Sequence, residues 1–247
     1  MTGPAICITV TRTAGSVPRE AGTQMLVWAD RTDGTIGGGR LEWEAIATAR
    51  KMLAEDATEH SQTYPLGPAL GQCCGGSVSL SFAVSQQLTQ PPASPLWIYG
   101  AGHVGRAIVN VMQPLPQFAI TWVDTAADRF PLTDVTTFVA QDPARAAAHA
   151  PDDAEHLILT YSHEIDFALC HALLSRPFGG IGLIGSATKW ARFKRRLAAL
   201  GHSPAQIARI ACPIGDPSLG KHPAEIALGV ATAMITQHDS RQKDRLA

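Results

Sequence analysis

The stretch LWIYGAGHVGRAIV, residues 96–109, decides how the second half of the chain folds. Its first four residues are apolar, as in a buried β-strand, and residues 100–105 match the pattern G-x-G-x-x-G. A helical pattern follows, so the motif lies between a strand and a helix, which is the context that a dinucleotide-binding loop requires. Asp124 ends the next predicted strand, where an acid can accept a hydrogen bond from a ribose hydroxyl. We therefore predict a Rossmann-type domain; the alternative is a glycine-rich turn that serves only packing.

Short apolar strands and helices alternate through the rest of this half. The predicted strands are 120–123, 135–139, 156–160 and 181–184. One predicted helix begins near His103, and three others cover 165–174, 187–200 and 224–235. Such alternation indicates parallel βαβ units with helices on both faces of a doubly wound sheet.

The first half has a different pattern. We predict strands at 5–10, 23–28 and 78–84, a turn-rich segment at 29–35 and a helix at 41–53. The polar, proline-containing stretch SQQLTQPPASP, residues 85–95, separates the two halves. The predicted organisation is a small mixed α/β domain (1–88), a linker (89–95), a Rossmann-like domain (96–240) and a tail (241–247).

Composition excludes several classes of protein. The 20 Lys and Arg residues balance 21 Asp and Glu residues, so no basic field exists to hold nucleic acid or an anionic membrane. The five cysteines are odd in number and include no C-x-x-C pair, which argues against a disulfide framework. The first residues lack the features of a signal peptide, and no apolar run reaches the ~18 residues of a membrane span. We expect a cytoplasmic protein.

The stretch LIGSATKWARFKRR, residues 183–196, predicts a second strand-to-helix turn. Gly185 makes the turn, Ser186 can cap the helix, and Lys189 lies in the first turn, where a cation opposes the helix dipole unless an anion is present. These residues form a candidate phosphate site. The alternatives are a simple N-cap at Ser186 and a solvated basic helix face. After another predicted strand, His163 is a candidate base or ligand, or a loop histidine bonded to backbone.

Adjacent thiols, Cys73 and Cys74, lie inside the run GQCCGG, residues 71–76. Glycine backbone allows close approach of a bulky ligand, and a thiolate suits a soft or high-valent metal centre or a sulfur-transfer step. Successive side chains of an extended chain point apart, so we expect one thiol to act, and we choose Cys73 as the metal ligand. The alternative is two small residues at a crowded strand start. Arg19 in GSVPRE and Arg40 in GGGRLE adjoin glycines and suggest an anion cradle, although internal Arg–Glu pairs explain these charges equally well.

Taken together, these stretches resemble the XdhC/CoxI family of xanthine dehydrogenase accessory proteins. The resemblance rests on GSVPREAGTQMLV, GTIGGGRLEWEAI, LGPALGQCCGG, YGAGHVGRAIV, VDTAADRFP, SHEIDFALCHALL, GLIGSATKWARFKRRL and CPIG, in this order. It implies a small XdhC/CoxI domain joined to a Rossmann domain, in a protein that binds molybdenum cofactor (molybdopterin) transiently. It further implies that the protein supports exchange of a cofactor oxo ligand for sulfur with a cysteine desulfurase. The cofactor then passes to the molybdenum subunit of xanthine dehydrogenase, and the accessory protein does not remain in the mature enzyme.

The resemblance also assigns residues. Cys73 and Cys74 match the family's cysteine pair, and Gly185, Ser186 and Lys189 match its second glycine–serine motif. Together with the residues argued above, the candidate cofactor-binding set is Arg19, Cys73, Cys74, Gly75, Gly100, Gly102, His103, Gly105, Asp124, Gly185, Ser186 and Lys189. We expect no catalytic residues, a donor protein that supplies the cofactor, and a homo-oligomer.

Two other functions explain part of the chain. An NAD(P)-dependent oxidoreductase would hold its dinucleotide at residues 100–105 and Asp124 and would use His163 as acid and base, but it leaves the cysteine pair without a role. A nucleotide-sensing module would need only the loop and Asp124. We favour the maturation factor, with NAD or another nucleotide as an additional ligand of the glycine loop.

Overall fold

The computed structural model describes residues 3–66, 75–89 and 92–246, with side chains up to residue 241. The chain divides into two compact units, Met1–Gln90 and Pro91–Ala247. Within the described ranges, no helix has the length and apolar character needed to cross a membrane.

The N-terminal unit is an antiparallel sheet with one helix on one face. Its strands are β1 (Ile6–Ala14), β2 (Gln24–Val27), β3 (Thr32–Gly34), β4 (Glu59–Pro65) and β5 (Ser77–Val84), in the order β3-β2-β1-β5-β4. Helix α1 (Gly39–Ala54) buries Leu41, Ala45, Ala49 and Met52, which recur at helical spacing. These residues pack against Ile6, Ile8 and Val10, the alternate residues of β1 that share one face of the sheet.

Two strands of this unit were not predicted. Strand β3 lies in the segment predicted as turn-rich, and β4 is exposed except at Tyr64, so its sequence EHSQTYP has no apolar alternation to indicate a strand. Strand β4 forms because it pairs with β5 along its whole length, from Glu59 opposite Ala83 to Pro65 opposite Ser77. The partner strand, not the local sequence, therefore determines β4.

The C-terminal unit is a parallel sheet with helices on both faces. Its strands are β6 (Ser94–Tyr99), β7 (Phe118–Asp124), β8 (Thr136–Val139), β9 (Glu155–Ile158), β10 (Gly180–Leu183) and β11 (Ile210–Ala211). Its helices are α2 (His103–Met112), α3 (Pro143–Ala146), α4 (His163–Leu174), α5 (Ala187–Ala199), α6 (Pro204–Ile207) and α7 (Pro223–Leu246). The strand order β11-β10-β9-β6-β7-β8 is that of a Rossmann sheet, so the predicted fold class is confirmed.

Strand β6 explains why an unbroken apolar run predicts the centre of this sheet. Leu96 and Ile98 lie in the core covered by α2 and α7, whereas Trp97 and Tyr99 lie in the opposite core, beneath α4 and α5. Because both faces of the strand are buried, every one of these four positions is apolar.

Helix α7 is longer than predicted. It continues past residue 235 to Leu246, through the segment predicted as a tail. Tertiary contacts hold its polar end: Arg241 pairs with Glu155, and His238 Nδ1 lies 3.2 Å from Ser94 Oγ. These contacts, rather than an apolar stripe, explain the extension.

A buried histidine lies in the core beneath α4. His156 on β9 is fully buried, and its Nδ1 lies 3.1 Å from the Tyr99 hydroxyl. Its Nε2 has no hydrogen-bond partner among the described residues. Burial, together with the nearby Arg176 charge, lowers the pKa of His156 from 6.5 to about 3. The imidazole is therefore neutral in the folded protein.

We expect this histidine to make folding acid-sensitive. The unfolded chain binds a proton at His156 near pH 6.5, but the folded chain does not until about pH 3, so stability is lost as the pH falls through this window. Between about pH 7.5 and about pH 5 the loss amounts to about 2 kcal/mol. His156→Gln keeps an acceptor for Tyr99 and removes this contribution, which urea unfolding at the two pH values measures. Equal pH-dependent losses in wild type and variant would contradict the buried neutral histidine.

Candidate functional site

The loops after β6, β7, β9 and β10 lie at the carboxyl edge of the parallel sheet, where doubly wound folds bind ligands. Strands β6 and β9 are neighbours, and the chain continues from them toward opposite edges of the sheet. The crevice between them is therefore the topological switch point. Residues 100–105 line one side and residues 160–162 the other.

Glycines give the loop at this crevice its close packing. Gly100 has a φ of 116°, and a Cβ there would overlap the Leu159 carbonyl oxygen. A Cβ on Gly105 would overlap the Gly100 carbonyl oxygen, so α2 could not begin this close to β6. Gly102 is the N-cap of α2 and supplies no side-chain cap, and it is exposed together with His103. The start of α2 therefore presents uncapped backbone donors.

Asp124 is buried next to the glycine loop and is hydrogen-bonded to it. Its carboxylate is 2% exposed, and Oδ2 accepts a hydrogen bond from the Ala101 N–H at 2.5 Å. Oδ1 accepts from the Thr125 N–H at 2.6 Å and pairs with Arg129 Nε at 2.7 Å. The acid thus ties the glycine loop to the end of β7.

Ser186 and Lys189 make internal contacts at the start of α5. The Ser186 hydroxyl oxygen accepts from the Lys189 N–H at 3.2 Å and caps the helix. Lys189 is 8% exposed, and its Nζ donates to Asp166 Oδ2 at 2.5 Å and to the Ile184 carbonyl at 2.8 Å. Gly185 leaves room for this side chain, because a Cβ there would lie 2.8 Å from Lys189 Cδ. The anion that balances Lys189 is therefore a carboxylate of the chain itself.

Sequence reasoning did not single out Asp166, whose contacts connect two loops of the edge. Its Oδ1 accepts from the Thr160 N–H at 3.0 Å and from the Thr160 hydroxyl at 2.7 Å. An acid in the first turn of a helix is common, so its type carries little signal. The useful signal is positional: Asp166 and Lys189 each follow one of two strands that are neighbours in the sheet.

The other reactive side chains of this unit are either paired or at least partly removed from water. His163 is exposed, and its Nδ1 lies 3.2 Å from an Arg192 guanidinium nitrogen, so the residue proposed as an oxidoreductase acid and base lies against a cation. Burial raises the pKa of Cys170 to about 12 and also raises that of Cys212, so both thiols are protonated near neutral pH. Among the described residues, no group of three or more His, Cys, Asp and Glu side chains is placed to hold a metal ion.

In the N-terminal unit, three glycine segments meet at one corner. A Cβ on Gly76 would overlap the carbonyl oxygens of Ala14 and Ser16, and one on Gly37 would lie 2.6 Å from Pro18 Cγ. The exposed Arg19 follows Pro18 directly. The segments 15–19, 37–39 and 75–76, far apart in sequence, are thus neighbours in the structure. Cys73 and Cys74 lie outside the described residues and immediately precede the third segment.

The loop before α1 is filled by a carboxylate. Glu42 Oε2 accepts from the Thr35 hydroxyl at 2.5 Å and from the N–H groups of Ile36 and Gly38 at 2.9 and 3.0 Å. Partial burial acts to raise the pKa of Glu42, but these hydrogen bonds outweigh it and lower the pKa below its usual value. Arg40 in turn pairs with Glu44 at 2.9 Å. The partner seen for Arg40 is thus Glu44, outside GGGRLE, whereas Glu42 is held by Thr35 and by backbone N–H groups.

Comparison with known proteins identifies the chain. Residues 96–234, more than half of its length, match the family described as the XdhC Rossmann domain. The chain belongs to the XdhC family. Residues 2–65 match the description XdhC and CoxI family, so the family resemblance inferred from the sequence is confirmed.

Two relatives of this XdhC-family chain show how far the similarity extends. The Escherichia coli K12 protein YqeB, which is uncharacterized, is 31% identical over 231 residues that cover 90% of this chain and 41% of YqeB. The chain thus spans less than half the length of that relative. A Bacillus halodurans crystal structure described as a xanthine dehydrogenase (BH1974) superposes with a TM-score of 0.81 at 20% identity. The match covers 96% of this chain and 92% of that one and shows a shared fold.

Proposed function

We propose that this protein is a maturation factor that binds molybdenum cofactor and passes it to an apoenzyme of the xanthine dehydrogenase type. The observation that carries the proposal is the corner of the N-terminal unit where segment 15–19 contacts segments 37–39 and 75–76, the last of which directly follows the cysteine pair in the sequence. Membership of the XdhC family supports the role in maturation.

The chemistry of the corner suits this cargo. Molybdenum cofactor is a pterin that carries a dithiolene and a phosphate, and a carrier must offer it a soft ligand, open backbone and a cation. Cys73 or Cys74 supplies the thiolate. A Cβ on Gly38 or Gly75 would meet no atom of the described residues within 4 Å, so neither position is packed against that part of the chain. The exposed Arg19, whose Cγ would lie 3.5 Å from a Cβ on Gly37, supplies the cation.

The same proposal includes the protein's partners. A donor protein supplies the cofactor, a cysteine desulfurase supplies the sulfur that replaces an oxo ligand, and the molybdenum subunit of xanthine dehydrogenase receives the product. The maturation factor is a cytoplasmic homo-oligomer that does not stay in the mature enzyme and catalyses no redox turnover of its own.

Retention of the cofactor tests the proposal. The purified protein is mixed with molybdenum cofactor released from a donor protein, separated from free cofactor by gel filtration, and analysed for molybdenum and for oxidised pterin fluorescence. We expect both to elute with the protein at near-unit stoichiometry. Cofactor that elutes only at small-molecule volume, or steady NAD reduction with xanthine by the protein alone, would overturn the assignment.

A further inference from the structure

Asp124 is buried and bound by neighbouring residues of the chain, which keeps it from a ribose. Its Oδ2 accepts from the Ala101 N–H, its Oδ1 accepts from the Thr125 N–H and hydroxyl, and Arg129 Nε lies 2.7 Å from Oδ1 as an ion pair. The carboxylate is also almost completely buried. A ribose diol would have to reach a carboxylate that water barely reaches, so the contact usual for an acid at this position is closed here.

Arg129, rather than Asp124, is the charged side chain accessible to a ligand at the crevice. Its side chain is 35% exposed, and its guanidinium carbon lies 4.5 Å from the centre of the Tyr161 ring. A guanidinium has five N–H donors; the one on Nε is buried 2.7 Å from Asp124 Oδ1, and the other four are on the two Nη atoms. Tyr161 follows β9 and Arg129 follows β7, so their contact spans the end of β6 and the glycine loop.

The charges around Arg129 favour an anion. Arg106 Nη2 donates to the Arg129 carbonyl at 2.7 Å and brings a second guanidinium to the same turn. The buried carboxylate of Asp124 balances one of these two charges, and Asp128, also on this turn, is exposed to water. A forked guanidinium binds phosphate oxygens in pairs, whereas a neutral diol offers it no matching charge.

From this geometry we infer that the crevice of the C-terminal unit selects a nucleotide with a phosphate monoester at the ribose position, bound by Arg129, over the same nucleoside with a free diol. Tyr161 is a positioning residue that stacks on the guanidinium and orients its fork. The inference goes beyond cofactor transfer and concerns a second ligand, of the 2′-phosphorylated nucleotide class.

Calorimetric titration of the full-length protein with 2′-AMP and with adenosine tests this inference. The wild type should bind 2′-AMP at least tenfold more tightly than adenosine, and inorganic phosphate should compete with 2′-AMP. Arg129→Gln should reduce the preference to less than about threefold, because it removes the fork. Arg129→Lys, which retains a cation for Asp124, should give an intermediate preference. Arg195→Gln changes an exposed arginine on α5 and should behave as wild type.

The role of Tyr161 has its own readout. Tyr161→Ala should weaken 2′-AMP binding by about two- to fivefold, and Tyr161→Phe should restore it. Equal affinities for 2′-AMP and adenosine, no binding of 2′-AMP at millimolar concentration, or a preference unchanged in Arg129→Gln would each overturn the inference. No molybdenum cofactor is present in these titrations, so their failure leaves the cofactor-retention result untouched.

Discussion

Lys189→Met should lower the free energy of unfolding by about 3–5 kcal/mol, because it leaves the Asp166 carboxylate buried without its cation. Asp166 is 1% exposed and Lys189 is 8% exposed, and their ion pair measures 2.5 Å. Thr160 continues to donate to Asp166 in the variant but carries no charge to offset the carboxylate. Urea unfolding monitored by circular dichroism measures the loss.

A second substitution separates this loss from simple loss of packing. Asp166→Asn combined with Lys189→Met removes the uncompensated charge and keeps an acceptor for Thr160, so it should recover at least about 1.5 kcal/mol relative to Lys189→Met alone. Arg195→Met on the exposed face of the same helix should change stability by no more than about 0.5 kcal/mol. A Lys189→Met protein that is as stable as wild type but has lost phosphate binding would show that Lys189 serves a ligand rather than Asp166.

Cys73→Ala should reduce the cofactor retained after gel filtration by more than tenfold, and Cys74→Ala should have a smaller effect. The proposed reason is loss of the soft ligand to the metal, since even partners of metal ligands cost about 10–100-fold in affinity when mutated. Molybdenum analysis of the protein fraction gives the measurement. The fold should be intact, because each substitution removes a single sulfur atom, and circular dichroism of both variants should match that of wild type.

The matched control is Cys212→Ala, which removes a partly exposed thiol from the C-terminal unit. Burial raises the pKa of Cys212, so it is not a thiolate near neutral pH and should not hold the metal. Cofactor retention by this variant should equal that of wild type. Full retention by both Cys73→Ala and Cys74→Ala would exclude a thiol role for the pair.

The sequence predicts the centre of the C-terminal sheet well because its strands are buried on both faces, which makes each of them a short apolar run. The same rule fails at the periphery. Strand β4 is polar and needs β5 beside it, and the last turns of α7 are held by Arg241 on Glu155. At these places the stabilising partner is remote in sequence, so no local pattern indicates it.

In the candidate site, too, the sequence predicts the local contacts and misses the remote ones. The glycine loop at residues 100–105 is local, and its packing follows from its glycines. Lys189 looks like a phosphate ligand in the sequence because its counterion, Asp166, lies 23 residues away and meets it only at the sheet edge. Asp124 looks available to a ribose for a similar reason: the N–H that its Oδ2 accepts belongs to Ala101 in the glycine loop, 23 residues earlier in the chain.

Transfer of the cofactor to an apoenzyme tests the central claim most directly. The cofactor-loaded protein is mixed with cofactor-free xanthine dehydrogenase and a cysteine desulfurase, with an excess of a scavenger for free cofactor, and xanthine oxidation is followed. We predict that activity appears in proportion to the molybdenum that leaves the protein, and that Cys73→Ala carried through the same loading step gives almost none. Activity that is equal with the variant, or molybdenum that stays bound while the apoenzyme remains inactive, would contradict the account.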